Sequence, residues 1–190
     1  FEAALKAREL FRLREPQDLV ESVDLYKKAI ARDDRFAEAY SGLAQAYSGL
    51  ITRRSADFKR YAPLVKEAAE KAIELKPTLA QPYAHLGNLE RGRLAWDAAF
   101  SRAEKALSLD PHDVSALSLL GALQLTAGYI EAGTGTVKQA LRADPLNGYS
   151  QIGTMVAAFV RGDDAAGIAI ARREMLSDAE YAPVAALLLV

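Results

Sequence analysis

The chain has 190 residues, of which 51% are hydrophobic and 26% are charged, a composition that is typical of a folded globular protein and excludes a disordered one. Its 24 basic and 25 acidic residues give a formal net charge of −1, which argues against direct binding to nucleic acid. There is no cysteine, so disulfides and thiolate metal sites are excluded, and no apolar run is long enough to span a bilayer.

Apolar residues recur three and four positions apart along the whole chain, which is the period of a helix that is buried on one face. No stretch shows the sustained alternation of a strand, so the sequence predicts an all-α fold. In chain order the predicted helices cover about 2–13, 17–32, 36–50, 57–75, 79–91, 95–109, 113–126, 129–142, 147–161, 163–176 and 180–190.

The predicted helices repeat in pairs at a constant interval. Two series of residues lie 34 positions apart, the alanines Ala72, Ala106 and Ala140 and the prolines Pro77, Pro111 and Pro145. A proline cannot continue the preceding helix, so each proline marks the turn between two units. Asp113 and Asn147 follow two of these prolines and are placed to cap the next helix with a side-chain oxygen. The small residues Ala44, Gly87 and Gly121 are expected to let neighbouring helices approach closely.

This pattern resembles the tetratricopeptide repeat, a helix–turn–helix unit of the same length. The family's bulky, Leu-Gly/Ala, aromatic, alanine and proline positions are matched by Tyr40, Leu43, Ala44 and Tyr47, by Tyr83, Leu86, Gly87, Trp96, Ala99, Ala106 and Pro111, and by Leu117, Leu120, Gly121, Ala140 and Pro145. The resemblance implies a right-handed superhelical solenoid of antiparallel helix pairs. It implies one domain over 1–190, with units at about 1–35, 36–78, 79–112, 113–146 and 147–178 and a terminal helix at 180–190. The unit at 36–78 is lengthened, and the extra residues fall near Leu50–Pro63.

The opening stretch also resembles repeat regions that follow winged-helix regulators or nucleotide-cyclase domains in bacterial signalling proteins. In those regions a first helix ends in a basic Leu-Arg-Arg-x-Pro segment, which corresponds here to Leu13-Arg14-Glu15-Pro16. This resemblance implies a regulatory module of a larger protein with a separate output domain. The lack of a starting methionine and of a signal peptide fits a fragment of such a protein. We favour the cytoplasm, with the periplasm as the alternative.

In the tetratricopeptide family the first helices of successive units line a concave groove, and this implies a set of candidate groove residues. They are Gln45, Gln81, His85, Asn88 and Arg91. Asparagine and glutamine amides donate and accept hydrogen bonds together, so they can pair with a peptide backbone. The alternative is that these residues form a solvated helix face. Acidic C-terminal tails are not expected as ligands, because Ser41 and Ala84 are among the residues that replace the family's carboxylate clamp.

Two other surfaces are candidate contacts. The apolar C-terminal end predicts self-association, as in a homodimer, through Tyr181, Leu187, Leu188 and Val190. Alternatively, this end covers an apolar face that is predicted near 149–160. The basic stretch Arg53-Arg54 to Phe58-Lys59-Arg60-Tyr61 is a docking point for an acidic partner or for the output domain, or else an ordinary solvated loop and helix start.

No motif in the sequence predicts catalysis. His85 and His112 are the only two histidines, and no metalloprotease or nucleophile motif occurs, so we expect no catalytic residue, no metal site and no cofactor. Gly133–Lys138 superficially resembles a phosphate-binding loop but falls inside a predicted helix.

The sequence therefore predicts a non-catalytic module that binds a protein or peptide and regulates a larger protein. Two alternatives stay open. One is a sensor domain that binds a small-molecule or peptide signal in the same groove. The other is an arm that serves only homo-oligomerisation.

Overall fold

A computed structural model describes residues 2–13, 16–53, 58–145 and 148–177. The regular structure in these ranges is entirely helical, which confirms the all-α prediction. The helices are α1 (Glu2–Leu13), α2 (Pro16–Arg32), α3 (Ala37–Arg53), α4 (Phe58–Leu75), α5 (Gln81–Gly92), α6 (Trp96–Leu109), α7 (Val114–Thr126), α8 (Ile130–Ala143), α9 (Gly148–Val160) and α10 (Asp164–Ser177). The predicted helix at 180–190 lies outside the described residues.

The helix ends lie where the capping and breaking residues predict them. The carboxylate of Asp113 accepts a hydrogen bond of 2.7 Å from the backbone N–H of Ala116 and caps α7, as expected for an aspartate at this position. Asp163 caps α10 in the same way, with 3.1 Å between its Oδ1 and the nitrogen of Ala166. The turns before α5 and α7 contain Pro77 and Pro111, neither of which can extend the preceding helix.

The chain divides into two compact units, Phe1–Asp110 and Pro111–Val190. In the first unit α1 packs on α2, α3 on α4 and α5 on α6, and α3 also contacts α5. Its core includes the buried side chains of Tyr26, Leu43, Val65 and Leu86. In the second unit α7 pairs with α8 and α9 with α10, and α7 also contacts α9. The predicted division of 1–190 into five helix pairs of a single domain stays a prediction.

Close approaches between helices depend on small residues. A Cβ on Gly121 would lie 2.7 Å from Cγ2 of Val137 on α8, so the predicted close contact at Gly121 is present. Ala44 is fully buried as well. The closest approach in the first unit was not predicted: a Cβ on Gly42 would overlap the ring of Tyr26. That ring is buried, and burial raises the pKa of the Tyr26 hydroxyl to about 12.

In the lengthened unit both helices are longer than those of the unit that follows it. Helices α3 and α4 have 17 and 18 residues, whereas α5 and α6 have 12 and 14. Pro63 lies inside α4 but is exposed. The opposite side of α4 is buried through Ala62, Val65 and Ala69, so the helix is held by its packing even though the proline removes one backbone donor.

Candidate binding site on α3 and α5

The predicted site residues of the first unit lie on two helices in contact, α3 and α5. Gln81, His85, Asn88 and Arg91 follow one another at spacings of three and four along α5, so they share a broad face of that helix. The hydroxyl of Ser41 on α3 donates a hydrogen bond of 3.0 Å to Oε1 of Gln81. Gln45 lies one turn after Ser41 and is half-buried. The structure therefore places these predicted residues on neighbouring helices, linked directly at Ser41 and Gln81.

His85 lies deep in this region. It is only 5% exposed, and its Nε2 atom is buried without a hydrogen-bond partner in the described part of the chain. Burial lowers the pKa of His85 to about 4, because a charged imidazolium would lose its hydration there. The side chain is therefore neutral at pH 7, and its Nε2 either donates or accepts one hydrogen bond according to the tautomer.

Asn88 and Arg91 occupy the next positions towards the end of α5, and both are half-buried. The side-chain amide of Asn88 donates a hydrogen bond of 3.3 Å to the carbonyl oxygen of Ala84, which leaves its carbonyl oxygen as an acceptor. The Nε atom of Arg91 is buried, and among the described residues it has no hydrogen-bond partner. Two buried polar atoms, on His85 and Arg91, thus lack a protein partner on one helix.

An ion pair connects the start of α3 to the residue after α4. The Lys76 ammonium lies 2.6 Å from Oε1 of Glu38. The hydrogen bond from Lys76 holds the pKa of the Glu38 carboxyl below its usual value. Both side chains are about half exposed, so the pair orients the chain locally and contributes little to stability.

The predicted site residues offer hydrogen-bond donors and acceptors and one cation, the guanidinium of Arg91. Within the described residues no cluster of three histidine, aspartate or glutamate side chains could hold a metal ion. The segment Gly133–Lys138 forms part of α8, as predicted, and does not form a phosphate-binding loop. The polar groups that these residues of α3 and α5 carry are amides, an imidazole and a guanidinium.

A further predicted contact is the C-terminal end of the chain. Tyr181, Leu187, Leu188 and Val190 lie outside the described residues. Among the helices that are described, none combines the length and apolar character needed to cross a membrane.

The sequence interpretation also missed the conformation of the turn between α5 and α6. Leu94 is 69% exposed there and has a positive φ of 61°. Gly128 and Gly162, the residues 34 and 68 positions later, also have positive φ, at 86° and 76°. The 34-residue interval could have revealed Leu94 as the leucine that replaces a repeated glycine.

No protein-family model matches this chain, and no curated protein sequence is significantly similar to it. Solved structures are similar over most of its length. TTC0263, a thermophilic tetratricopeptide-repeat protein of Thermus thermophilus, is 15% identical with a TM-score of 0.69, and the match covers 99% of this chain and 97% of that chain.

Two further structures show the same likeness. The Cut9–Hcn1 hetero-tetramer of the APC/C is 16% identical with a TM-score of 0.66, over 90% of this chain and 33% of that chain. YrrB, described as a tetratricopeptide-repeat protein with an unusual peptide-binding site, is 17% identical with a TM-score of 0.50, over 97% of this chain and 88% of that chain. At these low identities the likeness concerns the fold alone, and it confirms that this chain has the fold of tetratricopeptide-repeat proteins.

Proposed function

We propose that this chain is a non-catalytic protein-interaction module that binds a segment of a partner protein along α3 and α5. The observation that carries the proposal is the pair of buried polar atoms without a protein partner among the described residues, Nε2 of His85 and Nε of Arg91, on one helix. A buried polar group without a hydrogen bond costs about 1–3 kcal/mol. A movement of these side chains that exposes the two atoms would let a ligand supply the missing hydrogen bonds and recover part of this cost.

An extended peptide suits the dimensions of this region. Gln81 and Arg91 are ten residues apart on α5, so they are separated by about 15 Å along the helix axis. An extended chain of about four or five residues covers this distance and presents backbone donors and acceptors at regular intervals. Amides such as those of Gln45 and Asn88 can pair with both kinds of group. The fold shared with a protein described as having a peptide-binding site is consistent with this ligand class.

A small polar ligand is the second candidate, because His85 is more deeply buried than a surface contact requires. Such a ligand would make the chain a sensor. The small molecule alone would raise the melting temperature of the purified chain. If the site binds peptides instead, the melting temperature would rise only when a peptide is added.

The wider context rests on the resemblance at Leu13-Arg14-Glu15-Pro16. We propose that the chain acts as a regulatory module of a larger bacterial signalling protein, in the cytoplasm, without direct contact to nucleic acid. The near-neutral formal charge of −1 supports the last point.

Affinity capture with matched variants tests the interaction. The bait would be the wild-type chain, an Asn88→Ala/Arg91→Glu variant, and a Gln139→Ala/Lys138→Glu control with the same charge change at exposed positions of α8. We expect a protein that is retained by wild type and control and lost by the first variant. Its affinity is then measured by calorimetry with purified proteins. Equal binding to all three baits would contradict the proposed site.

A further inference from the structure

The turn between α5 and α6 holds a leucine in an unfavourable position. Leu94 has a φ of 61°, and the residues with positive φ at the corresponding turns are Gly128 and Gly162. Glycine adopts this conformation freely, whereas a leucine there is strained. Leu94 is also 69% exposed, so its side chain gains little from burial. Burial of the side chain therefore does not offset the strain, which points to a role for Leu94 in binding rather than in stability.

A second apolar side chain lies two residues away. Trp96, the first residue of α6, is 39% exposed. Single exposed apolar residues are ordinary on protein surfaces. Here a strained leucine and a partly exposed tryptophan lie at the same turn, and together they offer an apolar contact of the size of one or two partner side chains.

Three basic residues lie close in sequence to the contact between α4 and the end of α5, and the guanidinium of one of them, Arg60, lies 5.1 Å from the centre of the Tyr61 ring. The ring of Phe58 packs on Gly92, with its Cε2 atom 3.3 Å from the place a Cβ would take. Lys59 and Arg60 follow Phe58, and Arg93 follows Gly92, so all three lie within two residues of this contact. Among the described residues none of the three makes an ion pair.

We infer that this surface, the basic–apolar edge formed by Lys59, Arg60, Arg93, Leu94 and Trp96, docks an acidic segment of a partner protein. Carboxylates of the partner pair with the basic side chains, and one apolar side chain of the partner packs on Leu94 and Trp96. The partner segment is expected to be acidic because it faces basic side chains, and to carry an apolar side chain because the centre of the edge is apolar. The edge shares no residue with the proposed site on α3 and α5, so an experiment can disprove one proposal without affecting the other.

Two substitutions test the edge without unfolding the protein. Leu94→Gly places at φ 61° the residue that the other turns use, and Lys59→Glu reverses the charge of an exposed side chain. We expect Leu94→Gly to melt at or above the wild-type temperature and Lys59→Glu to melt close to it. Lys138→Glu makes the same charge change on the exposed face of α8 and is the matched control.

The probe is a fluorescein-labelled peptide of alternating glutamate and leucine, compared by anisotropy with a glutamate–serine and a lysine–leucine peptide. We expect wild type and Lys138→Glu to bind only the glutamate–leucine peptide, and less tightly at high salt. Leu94→Gly should weaken binding about tenfold, as expected for the loss of one leucine contact, and Lys59→Glu should weaken it several-fold.

The inference is wrong if wild type does not bind the glutamate–leucine peptide, or if Leu94→Gly binds it as well as wild type does. A third arm uses vesicles of phosphatidylserine and phosphatidylcholine in a sedimentation assay. Sedimentation of wild type, but not of Leu94→Gly, with these vesicles would identify the edge as a membrane contact and overturn the protein partner.

Discussion

At the scale of single residues, His85 should make the stability of the protein depend on pH. Its pKa is about 4 in the fold and about 6.5 in an unfolded chain. Between these values the unfolded state binds a proton that the folded state does not. The free energy of unfolding should therefore fall as the pH is lowered from 6.5 towards 4, by up to about 3 kcal/mol. Urea unfolding at pH 7 and pH 4.5 measures this change.

Variants at the two histidines isolate this contribution. His85→Gln should lose the His85 part of the pH dependence, whereas His112→Gln, at an exposed position after α6, should keep it. The carboxyls of Glu38 and Glu131 also have lowered pKa values. Their contribution to the pH dependence of stability remains in both histidine variants. If His85→Gln keeps the full pH dependence of the wild type, the burial of a neutral histidine is not its cause.

The sequence predicted some residue roles because they follow local rules. The cap at Asp113 needs only an aspartate before an apolar helix, and the small residue at Gly121 recurs at the repeat interval. The contact of Gly42 with Tyr26 and the strain at Leu94 were missed. The contact joins residues 16 positions apart on different helices, so no local pattern reports it. The strain at Leu94 was missed because the 34-residue interval was not followed to positions 94, 128 and 162.

At the scale of helices, α8 contains two glycines that differ in their surroundings. A Cβ on Gly133 would lie 2.9 Å from the backbone nitrogen of Leu125, whereas a Cβ on Gly135 would meet no atom within 4 Å. We expect Gly133→Ala to destabilise the protein by about 1–3 kcal/mol through overpacking. Gly135→Ala should stabilise it by about 0.5–1 kcal/mol, because alanine is the better helix former.

Chemical unfolding of the two variants checks this difference in sign. Both variants carry the same substitution, two residues apart on one helix, so each is the control for the other. Effects of the same sign would show that the packing of α7 on α8 does not distinguish the two positions.

Helix boundaries were predictable where caps and prolines mark them, and less so in the lengthened unit. There the helix predicted at 57–75 agrees with α4, whereas the helix predicted at 36–50 stops three residues before the end of α3. The structure uses the extra residues to extend α3 to Arg53 and to begin α4 at Phe58, because buried alanines continue along α4 and hold it in place despite Pro63. This extension brings the start of α4 to the end of α5 and so creates the basic–apolar edge.

At the scale of the whole molecule, the 34-residue interval was sufficient to predict the fold, because repeated core positions constrain the apolar residues strongly. The ligand is less predictable. Side chains on a binding face are not fixed by packing, and one fold serves many partners. The sequence named Gln81, His85, Asn88 and Arg91 as candidates, but it could not show that His85 is buried and neutral, since burial depends on the neighbouring helix.

Self-association through the C-terminal end stays a prediction at this scale. We expect the mass measured by light scattering to rise with protein concentration for wild type. A Leu187→Asp/Leu188→Asp variant should stay monomeric, because charged side chains oppose burial of an apolar contact. A mass that does not change with concentration in the wild type would exclude this contact.

Site-specific photo-crosslinking tests the central claim, binding along α3 and α5, most directly. A photoreactive phenylalanine derivative would replace Gln45 on α3, Asn88 on α5 or, as control, Gln139 on the exposed face of α8. We expect the same partner protein to be crosslinked from positions 45 and 88 and not from position 139. Adducts from position 139 as strong as those from 45 and 88, or no adduct from either site position, would contradict the account.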